Sequence, residues 1–209
     1  MLESERTAQR LHDPMMMTLA QVGFASEFSD CPEPRMQASV IQKAEQQLAD
    51  PTIALIHSCM AREGIARVLL SRGQLQEAET ISKELSDMLM MMLPGLRVRP
   101  MATLIEALLK QGRSAEARQT AEEAVMFITF LGGHGDKSVE IHLGLAEACH
   151  ATGDLEAAKQ ALRNAEAELN LRTEKIPDPA FRESFLHNIP AHARIQELVK
   201  KWFADAPAS

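Results

Sequence analysis

Apolar residues along most of this chain recur three or four positions apart, the spacing of one face of a helix. The clearest stretch runs from Val139 to Asn170, where two such segments flank a break at Gly153. The second segment places five apolar residues on one helix face: Leu155, Ala158, Leu162, Ala165 and Leu169. The pattern predicts a helical hairpin in which Gly153 ends the first helix in a left-handed conformation.

The same hairpin pattern recurs upstream. Gly73, Gly112 and Gly153 are 39 and 41 residues apart (112 − 73 and 153 − 112). An alanine follows each glycine by five positions: Ala78, Ala117 and Ala158. A helix-ending residue and a small packing residue that recur together indicate stacked helical hairpins.

Proline and capping signals predict further helices on both sides of the repeats. Asp13-Pro14 predicts a helix to about Ser29, and Asp50-Pro51 predicts the start of a long helix. A proline-rich linker before Pro179 precedes two more helices, and no segment alternates with the period of a strand. The predicted organisation is a disordered N-terminus (1–12), a helical repeat domain (13–175) and C-terminal capping helices (176–209).

The small-residue, glycine and alanine positions resemble those of the tetratricopeptide repeat (TPR). The matching residues are Ala66, Gly73, Ala78 and Leu85, then Ile105, Gly112, Ala117 and Ala124, then Ala146, Gly153, Ala158 and Ala165. Leu85 and Ile105 depart from the pattern in size, the family's aromatic residues are missing, and each repeat has about 40 residues instead of about 34. The resemblance implies an all-α, right-handed superhelical solenoid of TPR-like hairpins with C-terminal capping helices.

Two features of the resemblance concern the subtype. Long, aromatic-poor repeats are similar to those of large bacterial regulators. The tail from Phe181 to Trp202 resembles the end of repeat arrays in kinase- or ATPase-linked bacterial regulators.

Composition narrows the class of partner and the compartment. A formal charge of −7 disfavours a nucleic-acid surface. Three widely spaced cysteines favour a reduced interior over a disulfide framework. The N-terminus has acidic residues and no apolar run, and no apolar stretch reaches the length of a membrane span. We therefore expect a cytoplasmic protein without membrane contact.

One glycine-rich stretch, Leu131 to Ser138, looks like a phosphate-binding loop. Such a loop needs glycine directly before Lys-Ser and a preceding strand, whereas Asp136 holds that position here and a helix precedes it. The stretch is interpreted as a linker in which Asp136 caps the next helix.

No catalytic or metal-binding constellation is expected. His142 and His150 are eight residues apart, and no cysteine pair has metal-ligand spacing. Cys59 and Cys149 lie among small apolar residues inside predicted helices, which favours buried hydrophobes over nucleophiles. The prediction is a non-enzymatic protein without cofactor or metal.

Two methionine clusters are unusual: Met15 to Met17, and Met88 with Met90 to Met92. Methionine fills irregular core gaps and also forms adaptable apolar contact surfaces. Core filling is favoured here, and a contact or homodimer surface is the alternative.

The resemblance implies an interaction module or regulatory scaffold that binds a peptide, or a domain of its own parent protein, on a concave face built by the first helix of each hairpin. The implied positions are Glu63, Arg67, Leu70, Arg99, Glu106, Lys110, Leu143, Glu147 and His150. Glu63 and Arg67 stand where the family's clamp for acidic chaperone tails has Lys and Asn, which disfavours that ligand. The alternatives are a structural or dimerising segment of a larger bacterial regulator, and a small-molecule sensor with a pocket inside the superhelix.

Overall fold

A computed structural model describes residues 33–50, 54–133, 135 and 137–203 of the chain. This described part contains nine α-helices, a short 3-10 turn at Pro94–Leu96 and no strand. The helices are α1 (Pro34–Leu48), α2 (Leu55–Ser71), α3 (Leu75–Met92), α4 (Val98–Lys110), α5 (Ser114–Phe130), α6 (Ser138–Ala151), α7 (Leu155–Glu174), α8 (Pro179–His187) and α9 (Pro190–Phe203). The predicted all-α class is confirmed.

The chain divides into two compact units, residues 1–94 and 95–209. In the first unit, α2 packs against both α1 and α3. In the second, α4 and α5 form one hairpin and α6 and α7 the next, and α6 packs against both helices of the preceding hairpin. Within the second unit, the two hairpins therefore bury their apolar faces on each other, as in other repeat proteins.

The helix-ending glycines adopt the backbone conformation that the repeat pattern predicts. Their φ angles are 78° at Gly73, 75° at Gly112 and 86° at Gly153. At the last of these turns, the N–H of Asp154 donates to the carbonyl oxygen of Cys149 at 3.0 Å, and the N–H of Gly153 donates to that of His150 at 3.1 Å. This pair of bonds is the Schellman pattern, which needs a residue that tolerates positive φ. Glycine therefore determines where each first helix ends.

The recurring alanines lie where helices approach most closely. Ala117 of α5 is fully buried in a cluster with Leu104 and Leu108 of α4 and with Ala148 of α6. Ala78 and Ala158 are buried at the same position of their repeats. A larger side chain at the three-helix junction around Ala117 would overpack it, which explains the small residue there.

Ile105 departs from the small-residue pattern, and the structure shows how the next hairpin accommodates it. Ile105 is buried in α4, where the other repeats have Ala66 and Ala146. A Cβ atom added to Gly144 of α6 would lie 2.5 Å from the Cγ2 atom of Ile105, well inside van der Waals contact. The missing side chain of Gly144 thus makes room for the isoleucine.

The C-terminal helices continue the stack. Ile195 and Leu198 of α9 are buried in one cluster with Leu143 of α6 and Leu162 of α7. Helix α8 has no buried residue, and the side chain of Asp178 caps its first turn. Helix α9 therefore covers the apolar face that the last hairpin would otherwise expose.

Some predictions about helix starts and core residues differ from the structure or lie outside its described part. The helix from Asp13 to Ser29 and the methionines from Met15 to Met17 fall outside the described residues. The start predicted at Asp50-Pro51 is wrong, because α2 begins at Leu55 and its N-cap residue is Ala54. Ala54 has the extended backbone of an N-cap residue, with φ −63° and ψ 142°, so the helix cannot begin before it.

The methionines at the end of α3 are not core residues. Met90, Met91 and Met92 are exposed, with 84% of Met91 accessible, whereas Met88 is half-buried. Core filling is therefore wrong for these three, and an apolar contact surface is the interpretation that remains.

Candidate partner-binding face

The three predicted positions on α2 are buried. Glu63 is 3% exposed and Arg67 8% exposed, and Leu70 is buried with them. The expectation that Arg67 is a surface charge is therefore wrong. Spacing within one helix identifies which residues share a face, but other elements decide whether water reaches that face.

The positions on α4 are more accessible. The Nζ atom of Lys110 lies 2.8 Å from the Oε1 atom of Glu106, and 46% of each side chain is exposed. Arg99 is half-buried, about two helix turns before Glu106. An exposed pair one turn apart contributes little to stability, so both charges are available to a partner at small cost.

The positions on α6 are engaged by α9. Leu143 is buried, and the Oε1 atom of Glu147 accepts a hydrogen bond of 2.8 Å from Nε of Arg194. A second bond of 2.8 Å joins Arg194 to Glu197. Bonds to these two carboxylates, the one to Glu147 first, raise the pKa of Arg194 above its ordinary value. Helix α9 thus supplies the cation that balances Glu147.

His150, the last predicted position, stacks on an aromatic residue of α9. The ring centroids of His150 and Trp202 are 4.7 Å apart, and the ring planes differ by 8°. His150 remains exposed on its other side. Sequence reasoning predicted α9 as a capping helix but missed Arg194, Glu197 and Trp202 as neighbours of this face. Their only sequence signal was their place on an amphipathic terminal helix.

Within the second unit, these observations define one surface, here called the first-helix face. It consists of the exposed or half-exposed residues of α4, α6 and α9 on their shared side: Arg99, Glu106, Lys110, Glu147, His150, Arg194 and Trp202. Helix α4 packs on α6, and α9 reaches α6 through the Glu147–Arg194 pair and the His150–Trp202 stack. The surface combines charges of both signs with one aromatic stack.

The two described cysteines have the properties of buried hydrophobes. Burial raises the pKa of the Cys59 thiol, an effect that nearby Arg62 partly offsets. Burial also raises the pKa of Cys149, against the influence of Arg118. A raised pKa disfavours the thiolate, which is the nucleophilic form. Among the described residues, no group of three His, Cys, Asp or Glu side chains could hold a metal ion.

The glycine-rich linker uses its Lys-Ser pair for structure. Ser138 is buried, and its Oγ atom lies 3.1 Å from Glu168 and accepts a 2.8 Å hydrogen bond from Arg172. Lys137, the N-cap residue of α6, pairs with Glu140 at 2.9 Å. Asp136, the predicted cap, lies outside the described residues. Both phosphate-loop residue types are therefore committed to protein contacts.

A cavity of about 360 Å³ lies beside this linker, at the C-terminal half of α7. It is lined by Gly135, Glu168, Leu171, Arg172 and Lys175. Arg172 reaches the carbonyl oxygen of Gly135 at 2.6 Å. The sensor alternative predicts an apolar pocket inside the superhelix, whereas three of the five residues that line this cavity are charged.

The helical hairpins, their left-handed glycine turns and the buried alanines define a helical-repeat protein. A family model for the tetratricopeptide repeat matches residues 98–123 and 139–164. These segments cover α4 with part of α5, and α6 with part of α7, so both hairpins of the second unit are tetratricopeptide repeats. Neither the curated proteins nor the solved structures contain a match to this chain.

The family assignment carries a coarse functional meaning. Tetratricopeptide repeats generally mediate protein–protein interaction and are typically not enzymes. The bacterial-regulator subtype and the resemblance of the tail stay predictions. Among the described helices, none combines the length and the apolar character that crossing a membrane requires.

Proposed function

We propose that this chain is a non-enzymatic interaction module that binds a peptide, or a domain of its own parent protein, on the first-helix face. The observation that carries the proposal is the accessible Glu106–Lys110 pair on α4, next to α6, whose Glu147 and His150 remain partly accessible. A face that combines positive charges, negative charges and an aromatic stack suits a partner with charged and apolar side chains.

Helix α9 adds a requirement for the partner. Because Arg194 already balances Glu147, a partner gains little by placing a cation there unless α9 shifts. Lys110 is paired, within the part of the chain that the structure describes, with Glu106 of its own helix, and the pair is half exposed. A partner carboxylate can compete for Lys110 at low cost, so α4 is the expected centre of electrostatic recognition.

The proposal is tested by charge reversal at Lys110. A partner is recovered by affinity capture from the native cell, and its affinity is measured for the wild-type chain and for Lys110→Glu. We expect Lys110→Glu to weaken binding about fivefold, equivalent to roughly 1 kcal/mol, with a smaller difference at high salt. Far-UV circular dichroism should not change.

The matched control is Lys159→Glu on α7, a lysine of comparable exposure whose nearest carboxylate, Glu156, lies 4.0 Å away. It should leave binding unchanged. Loss of binding with Lys159→Glu, together with normal binding by Lys110→Glu, would place the partner on the second helices and refute the proposal.

A further inference from the structure

The largest exposed aromatic surface of the described residues lies on a second helix, away from the first-helix face. Phe130 is 85% exposed at the end of α5, Met126 is 67% exposed one turn earlier, and Leu131 is 47% exposed. Residues four apart on a helix are neighbours, so Met126 and Phe130 form one surface. We call Met126, Phe130 and Leu131 the α5 patch. Single exposed apolar residues are ordinary, but three within six positions indicate a contact surface.

The exposed position recurs with the repeat. Leu171 of α7 is 48% exposed and follows Phe130 by 41 residues (171 − 130), the spacing that separates Gly112 from Gly153. In sequence, Met91 precedes Phe130 by the 39 residues that separate Gly73 from Gly112. The same repeat position thus carries a large exposed apolar residue in three consecutive repeats.

The electrostatics of α5 also favour contact between copies. Its three carboxylates are each paired with an arginine: Glu116 with Arg113 at 2.6 Å, Glu122 with Arg118 at 2.8 Å, and Glu123 with Arg97 at 2.7 Å. No charged residue follows Glu123 until after the linker's glycines. Thr129 donates its hydroxyl proton to the carbonyl oxygen of Val125 within the helix. The chain's net charge of −7 is therefore not concentrated at the patch, and two copies can approach there without strong repulsion.

We propose that the α5 patch is the centre of a homodimer interface, in which α5 of one copy packs on α5 of a second copy about a two-fold axis. The three apolar side chains of the patch, at this exposure, offer roughly 400 Å² per copy. With a rim of polar neighbours, a symmetric pair reaches about 1,200 Å² of total buried area, the lower end of specific interfaces. Two helices can interdigitate their ridges there, whereas a short peptide gains little area on the exposed side of one helix.

The interface is independent of partner binding on the first-helix face, and its test uses the purified chain alone. Sedimentation velocity from about 1 to about 100 µM should show a concentration-dependent dimer. Phe130→Glu should raise the dissociation constant at least about tenfold, because it buries a carboxylate at the centre of the interface.

Phe181→Glu on α8 is the matched control, since Phe181 is 70% exposed and lies outside the patch. It should leave the dimer unchanged, and both variants should keep the far-UV circular dichroism of the wild-type chain, which reports helix content and not association. A wild-type chain that stays monomeric up to the highest concentration overturns the proposal. So does a dimer that Phe130→Glu leaves intact, or one that dissociates at high salt, since an apolar contact persists there.

Discussion

One repeat position holds a charged residue in three environments. Arg67 in α2, Glu106 in α4 and Glu147 in α6 follow one another at the spacing of the glycines. Arg67 is buried, Glu106 is half-exposed beside Lys110, and Glu147 is bonded to Arg194 of α9. Repeat register therefore identifies a helix face, whereas the neighbouring elements decide whether a charge on that face supports the fold or is available to a partner.

The largest expected effect on stability distinguishes the buried charge of Arg67 from the exposed charge of Lys110. Arg67→Glu should lower the free energy of unfolding by about 3 kcal/mol or more, because it places a carboxylate in a buried site one turn from buried Glu63. Urea unfolding followed by circular dichroism measures it. Lys110→Glu should stay within about 0.5 kcal/mol of wild type. Equal midpoints for the two variants would show that Arg67 is accessible after all.

A second comparison concerns Ile105 and the alanines at its position. Gly144→Ala should cost about 1–3 kcal/mol through contact with Ile105, partly offset by the higher helix propensity of alanine. In the double variant Gly144→Ala, Ile105→Ala, the steric term should disappear, so that the two substitutions are strongly non-additive. Additive losses in urea unfolding would mean that Gly144 does not accommodate Ile105.

The smallest expected effect is on the pH dependence of stability, and it compares a buried histidine with an exposed one. His192 of α9 is buried, and its Nδ1–H donates to the carbonyl oxygen of Phe185 at 2.8 Å. Burial is the main reason that the pKa of His192 is lowered from 6.5; the hydrogen bond to Phe185 and then Glu140 act against it, whereas Arg172 and Lys137 act with it. The stability from neutral His192 is present above pH 6.5 and is lost as the pH falls below it.

The measurement is the unfolding midpoint at neutral and at mildly acidic pH. His192→Gln should reduce the acid-induced loss, and exposed His187→Gln should not. Some loss should remain in His192→Gln, because burial also lowers the pKa of His142. A wild-type midpoint that does not fall on acidification would contradict the assignment.

Much of the fold followed from local signals that depend on few neighbours. Gly73, Gly112 and Gly153 end helices because their positive φ requires glycine, and this requirement is visible in the sequence. The recurring alanine was also visible in the sequence, and at Ala117 only a small residue fits between the three helices. Asp178-Pro179 also began a helix as predicted.

What the sequence could not supply depends on contacts between distant segments. Glu63 and Arg67 have the spacing of an exposed face but are buried. Ile105 was an isolated departure from the small-residue pattern, and only the packing of α4 on α6 shows that Gly144 compensates for it. A glycine inside a helix was a usable signal, because it costs stability unless close packing requires it.

The exposed methionines give the surface a chemistry that the other apolar side chains lack. Oxidants reach the thioethers of Met90, Met91 and Met92 at the end of α3, and that of Met126 in the α5 patch, while Met101 is buried. Oxidation to the sulfoxide turns a flexible apolar side chain into a polar one, and methionine sulfoxide reductases reverse it. The apolar character of these surfaces is thus a reversible property, set by the balance between oxidant and repair in the surrounding solution.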